Sequence, residues 1–338
     1  MKDTGDIGGV VEMRHGAGGR DMADLISRIF LRELGGTGEE DQAVLTLPPG
    51  RIAVSTEGFV ISPFFFPGGD IGSLAVNGTV NDVAMGGAVP QVLTAGFIIE
   101  EGFALADLAR IAASIARAAS AAGVWIVTGD TKVVERGKGD GVFITTAGIG
   151  VLREGVNLSA RNARPGDAVL LSGTIGDHGV AIMATRAGFD VETDILSDCA
   201  SVAGLAQALL AAAPGCRVLR DPTRGGVAAV LNEIAQASGV GIAIHEDALP
   251  VKDGVRGACE LLGLDPLYVA NEGKLVAIVP PDEAQAALTA LRADPLGAEA
   301  AIIGVVRADP DRFVEMETAF GGPRMVDSIA GEQLPRIC

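Results

Sequence analysis

The residues best suited to chemistry in this chain are carboxylates beside glycines or at the ends of apolar runs: Asp41, Glu57, Asp70, Asp82, Asp130 and Asp221. They are hard oxygen donors with no histidine or cysteine cluster beside them. The cation they suit is Mg²⁺, which takes one or two carboxylates together with substrate phosphates. In Pro67-Gly68-Gly69-Asp70-Ile71-Gly72 the paired glycines let backbone approach a ligand at a helix start, where free N–H groups favour phosphate. On that helix Asn77 and Asn81 share a face beside Asp82, inside an otherwise apolar run. Gly129-Asp130-Thr131-Lys132 follows the apolar residues 124–128, which sets a carboxylate, a hydroxyl and an amine at a strand's C-terminal end, where α/β sheets present ligands. Asp221-Pro222-Thr223-Arg224-Gly225-Gly226 puts an acid and a guanidinium around a glycine pair at another helix start. Asn271-Glu272-Gly273-Lys274 opens an apolar strand with an acid that reads as either a strand-end charge or a catalytic base. Taken singly, each stretch has a plainer reading as a cap or a surface turn. The histidines are solitary, and His178, in the loop before a helix, reads as touching either substrate or only the loop backbone.

These residues need elements to hold them. At 338 residues the chain exceeds the usual range of one core, so two domains are expected, and 48% apolar against 20% charged residues excludes disorder as the dominant state. Residues 1–40 read as a glycine-rich mobile lead with an amphipathic run at 22–34. A first α+β domain spans 41–152, with strands at 52–55, 59–61, 94–99, 124–128 and 142–151 and helices at 71–85 and 105–122. Residues 153–167 are polar and turn-prone and read as a linker. A second α+β domain, 168–322, repeats the alternation, with strands at 168–172, 241–245, 275–279 and 301–306 and helices at 180–187, 202–212, 227–238 and 282–292. Residues 323–338 read as a flexible tail ending in Cys338.

Several classes are excluded. The net charge is −17 with no basic block, so nucleic acid and anionic membrane are poor partners. The start carries Lys2, Asp3 and Asp6 and no apolar core of a leader, and no uncharged run reaches the ~18 residues of a membrane span, so a cytoplasmic protein is expected. Cys199, Cys216, Cys259 and Cys338 are too scattered for a disulfide scaffold or a zinc site, and no P-loop motif is present.

The chain resembles the hydrogenase-maturation carbamoyl dehydratases, within the ATP-using superfamily that also holds aminoimidazole ribonucleotide synthetase, selenophosphate synthetase and thiamine-phosphate kinase. The resemblance runs from His15-Gly16-Ala17-Gly18-Gly19 through the stretches above to the final Pro335-Arg336-Ile337-Cys338, which is its most discriminating motif. It implies a ferredoxin-like first domain that forms a homodimer through its strands, a second α+β domain, and ATP bound between the domains. It further implies that Cys338 accepts a carbamoyl group from a partner carbamoyltransferase. ATP-dependent dehydration would then leave a thiocyanate, and a further maturation complex would accept the cyanide for the iron of [NiFe] hydrogenase.

On this resemblance Asp41, Glu57, Asp82 and Asp221 are the Mg²⁺ candidates, and Gly68, Gly69, Asp70, Asn77, Asp130 and Thr131 the nucleotide contacts. Glu272 and Lys132 share the base and charge-stabilising roles. One position departs from the family pattern: Glu57 in Ser55-Thr56-Glu57-Gly58, where Asp is usual. Two other readings of the same residues stand beside this one. One is an ATP-dependent enzyme of the ribonucleotide-synthetase kind, which needs no terminal cysteine. The other is a non-catalytic nucleotide-binding scaffold.

Overall fold

A computed structural model of the chain describes residues 7–36, 42–187, 195–328 and 336–338. Where the glycine-rich composition suggests a mobile arm, the described part of the lead is helical: α1 (Arg20–Leu25), a π-helical stretch (Ile26–Leu31) and α2 (Arg32–Leu34). Its amphipathic stripe accounts for the difference. Leu25, Ile29 and Phe30 are buried, and the Phe30 ring centroid lies 4.5 Å from that of Phe97 on the neighbouring sheet.

In the first domain β1 (Ile52–Phe59) leads through a short hairpin, β2 (Phe65–Phe66) and β3 (Gly69–Asp70), into α3 (Ile71–Met85). Next come β4 (Ala88–Glu100), α4 (Leu105–Ala122), β5 (Trp125–Val134) and β6 (Val142–Leu152). The sheet order is β1-β6-β4-β5, with β4 parallel to β5 and β6 antiparallel to both β1 and β4. Helices α3 and α4 pack on each other, with α3 against β1, β6 and β4. A split β-α-β unit is present, with β6 inserted between β1 and β4. The chain order β-α-β-α-β-β nevertheless departs from the β-α-β-β-α-β of a ferredoxin-like domain, because α4 returns the chain to β5 directly beside β4.

Three strands are longer than the apolar runs suggested, and the runs at 52–55 and 59–61 belong to one strand, β1, that passes through Glu57 and Gly58 and ends at Phe59. β4 starts at Ala88 because Pro90 sits at a register shift, where its missing N–H is tolerated. β5 runs on to Val134, so Asp130 and Lys132 lie within an edge strand, not at its C-terminal end. Ile52 and Val54 on β1, Ile98 on β4 and Trp125 on β5 remain exposed.

The second domain follows residues 153–167, which carry no helix or strand. Its elements are β7 (Ala168–Leu171), α5 (Asp177–Ala187), α6 (Ala203–Ala212), β8 (Val218–Arg220), α7 (Gly226–Ser238), β9 (Gly241–His245), α8 (Asp253–Leu262), β10 (Val276–Val279), α9 (Ala284–Arg292), β11 (Ala301–Arg307), β12 (Val314–Glu317) and β13 (Pro323–Met325). They form a sheet in the order β13-β12-β9-β11-β7-β10-β8, antiparallel except for β9 beside β12.

Every residue of β7 and β10 is buried. Alternate side chains feed two cores: Val169, Leu171, Val276 and Ile278 pack with α7, while Leu170, Ala277 and Val279 pack with α6 and α9. The second of these cores is continuous with α3 of the first domain, which fixes one domain against the other. The stretch expected as a flexible tail is paired at its start, since β13 adds to β12 and Val326 is buried.

Candidate active site

The acids converge where α3 meets the second domain. β1 alternates, so Ser55 and Glu57 are half-buried beneath α3 while Val54 and Thr56 are exposed. Gly78 makes room for Glu57, because a Cβ there would lie 2.8 Å from Glu57 Oε2. Ser55 Oγ donates to Asp82 Oδ2 at 2.6 Å. Asp221 and Arg224 enter from the turn between β8 and α7, and Glu272 from the approach to β10.

Their mutual repulsion shows in their acidities. Burial, then Asp82 and Asp221, push Glu57 up to about 7, with Arg224 opposing. Burial and then Asp82 push Asp221 up to about 7. Glu272 is raised well above the usual carboxylate range, first by burial and then by Glu57, Asp198, Asp221 and Asp82. Glu272 Oε1 is buried without a hydrogen-bond partner. Among the described residues no three acid, histidine or cysteine side chains converge closely enough to hold a metal alone. A like-charge group with too few ligands of its own suits a Mg²⁺ whose coordination is completed by phosphates. Asp41 lies outside the described residues.

Glu272 is held by its backbone. Asp198 accepts from Glu272 N at 3.0 Å, Gly273 N at 3.3 Å and Lys274 Nζ at 3.0 Å. Only glycine fits at 273, since a Cβ would lie 1.8 Å from Asp198 O. Asn81 bolts the domains together: its Nδ2 donates to Ala200 O at 3.0 Å and Glu272 O at 3.3 Å, and its Oδ1 accepts from Val202 N at 2.8 Å.

Several residues expected at a nucleotide are used otherwise in this structure. Asp70 caps α3, accepting from Gly72 N and Ser73 N at 2.9 Å each. Asn77 Nδ2 points at Cys199 Sγ, 3.6 Å away. Gly68, at φ +94°, lies so close to the second domain that a Cβ would come within 2.6 Å of Ser197 O, so the Gly68-Gly69 turn packs against protein. Asp130 pairs with Lys132 on the exposed side of β5, while Thr131 is buried on the helix side. Asp130 and Thr131 line a cavity of about 700 Å³ beneath the lead helices, together with Phe30, Phe97 and Ile126. Lys132 is not among the charges acting on Glu272 or Cys338; the cation acting on Cys338 is Arg224.

The end of the chain is docked against this group. Val60 N donates to Cys338 O at 3.1 Å and Ser62 N to Arg336 O at 3.5 Å, so residues 336–338 run antiparallel to 60–62. Ile337 is buried. The Cys338 thiol is pushed up to about 12, first by burial, then by Glu272, with Arg224 opposing and Glu57 adding.

The models of AIR synthase related protein, N-terminal and C-terminal domains, match residues 39–152 and 164–317. Carbamoyl dehydratase HypE of Azotobacter vinelandii is 62% identical over 98% of both chains. The chain belongs to the HypE carbamoyl dehydratase family. A crystal structure of hydrogenase maturation protein HypE in complex with ATP superposes with a TM-score of 0.93 at 48% identity, covering 97% of this chain and 99% of that one. A HypE chain in a HypE–HypF complex superposes with a TM-score of 0.80 at 54% identity, covering 82% and 90%.

In this member of the HypE family two residues beside the acids are ones that spacing alone does not single out. Asp198 lies in Ser197-Asp198-Cys199, where no glycine or strand end marks it. Arg224 lies in the Asp221–Gly226 stretch, and its positive charge opposes the upward shifts of Glu57 and Cys338. Among the described residues no helix is long and apolar enough to cross a membrane.

Proposed function

We propose that the protein is a cytoplasmic, ATP-dependent carbamoyl dehydratase that works on a carbamoyl group carried by Cys338 and leaves a thiocyanate there. The observation that carries this reading is the docking of Cys338 beside Glu272, an acid whose buried Oε1 has no partner. The carbamoyl oxygen attacks the γ-phosphorus of ATP and ADP leaves, with one N–H proton released to solvent as the imidate forms. The C–O bond then breaks, phosphate departs with that oxygen, and Glu272 takes the second N–H proton, giving S–C≡N. Phosphoryl transfer needs positioning and positive charge more than covalent help. Glu57, Asp82 and Asp221 would hold Mg²⁺ together with the ATP phosphates, and the bound ion supplies positive charge against the transferring group. Arg224 adds a guanidinium on the same side. ATP hydrolysis is therefore expected only from protein carbamoylated at Cys338; equal hydrolysis by uncarbamoylated protein contradicts the reading.

A carbamoyltransferase loads Cys338, a reading supported by the HypF complex of a relative. A hydrogenase-maturation complex then accepts the cyanide group. The protein acts as a homodimer. The edges β1 and β5 have no strand neighbour among the described residues, and the strands leave Ile52, Val54, Ile98 and Trp125 exposed, an arrangement that a second copy covers. Asp130 and Lys132 lie exposed on the β5 edge, so a second copy closing that edge receives them, which gives both residues a role at the nucleotide across the seam. Light scattering at micromolar concentration should report two chains per particle. A particle that stays single at high concentration contradicts the dimer.

A further inference from the structure

His178 is the one buried histidine, and both ring nitrogens are engaged: Nδ1 with Ser197 Oγ at 2.8 Å and Nε2 with the Ile337 carbonyl at 2.8 Å. A carbonyl only accepts, so Nε2 carries the proton and Nδ1 takes the Ser197 hydroxyl proton as its hydrogen bond. Burial lowers the ring's pKa and keeps it neutral, although the charge of Asp198 works against this. Phe66 meets the ring edge-on, with centroids 5.6 Å apart. Ser197 is itself fixed: its N donates to Pro67 O at 2.8 Å and its Oγ accepts from Cys199 N at 3.1 Å. The Pro67-Gly68 turn, the 197–199 loop and α5 thus build one receptor whose inner wall reaches the last peptide of the chain. Outside that wall Arg336 is held by Asp140 and by Val60 O at 2.9 Å, at the rim of the site.

We propose that His178 is a positioning residue that latches the docked tail through the Ile337 carbonyl and thereby holds Cys338 at Glu272 for dehydration. This rests on the proposed function for its catalytic consequence, but the latch itself is a property of the tail. Without the Nε2–H donor a buried carbonyl is left unpaired, enough to shift the docked–undocked balance by about tenfold or more. Docking and loading make opposite demands. The tail must leave to meet a transferase and return to be dehydrated, so weakening the latch favours the first step and harms the second.

The test compares His178→Leu, which removes the donor, with His178→Gln, whose amide places an N–H near the Nε2 position. The rate of iodoacetamide alkylation at Cys338, read by mass spectrometry of the C-terminal peptide, should rise about tenfold in His178→Leu and return toward the parent value in His178→Gln. In separate half-reactions, His178→Leu should lower kcat for dehydration of pre-carbamoylated protein by a similar factor, leave KM for ATP unchanged, and not slow carbamoylation by the transferase. Ser197→Ala, which loosens the ring from the other side, should move alkylation in the same direction by less, and it serves if His178→Leu does not fold. Unchanged alkylation in both His178→Leu and Ser197→Ala, or equal loss in the two half-reactions, overturns the latch. Alkylation involves neither ATP nor a carbamoyl group, so a faster reaction without any dehydration activity in the parent protein supports the latch and counts against the proposed function.

Discussion

Glu272→Gln is expected to cut dehydration of the carbamoylated protein by about 10² to 10⁴-fold, the usual worth of a positioned general base. Folding should survive the change. Glu272 is buried among Glu57, Asp198, Asp221 and Asp82, which raise it well above the ordinary carboxylate range, so its surroundings disfavour the charged form, and glutamine has the shape of the uncharged acid. ATP binding should be retained for the same reason. An acid raised in this way is a stronger base once ionised, and its ionised fraction grows with pH, so parent turnover should climb as pH rises while Glu272→Gln stays low and flat. A Glu272→Gln protein with parent kcat and parent pH profile removes the base assignment; a collapsed melting transition assigns the residue a structural role instead.

Asp221→Asn should weaken Mg²⁺-dependent nucleotide binding, measured by calorimetry, by at least about tenfold, and Asp82→Asn should do likewise. Glu57 and Asp221 both titrate at about 7, with burial the largest cause in each. Below that pH they are protonated, and a cation must displace their protons. Binding should therefore strengthen as pH rises through about 7 and should release protons to the buffer. Stability runs the other way in the metal-free protein. The folded state binds more protons than the unfolded chain between the ordinary values of 4.5 for Glu57 and 3.8 for Asp221 and about 7, so these two groups withdraw stability as pH rises through that window. Parent-like nucleotide binding in both variants at all pH values would remove the metal assignment.

The chemistry was legible where glycines and apolar runs bracket an acid. Glu57, Asp82, Asp221 and Glu272 come from four separate stretches, and the structure gathers them because the core shared by α3, α6 and β10 locks the domains together. Spacing could not reveal which partner each polar residue would meet. Asp70, Asn77 and Gly68 stand in the right motif, yet they meet a helix end, Cys199 and Ser197, and the last two of these partners lie more than a hundred residues along the chain.

Strand parity was the other gap. Once β5 continues to Val134, its two-residue period leaves Asp130 and Lys132 exposed while Thr131 between them is buried. In the lead, the glycines at 16, 18 and 19 outweighed the stripe of Leu25, Ile29 and Phe30, and it is the stripe that packs. Helix α8 was hidden by Gly254 and Gly257, two poor helix formers in one short segment.

The central claim is that Cys338 carries the group being dehydrated. Protein carbamoylated by the partner transferase should be given ATP and Mg²⁺ and its C-terminal peptide followed by mass spectrometry. The account predicts that the carbamoyl adduct, confined to Cys338, loses the mass of one water with ATP present and is unchanged without it, and that Cys338→Ala never acquires it. An adduct that persists unchanged in the presence of ATP, or one that forms equally on Cys338→Ala, would contradict the account.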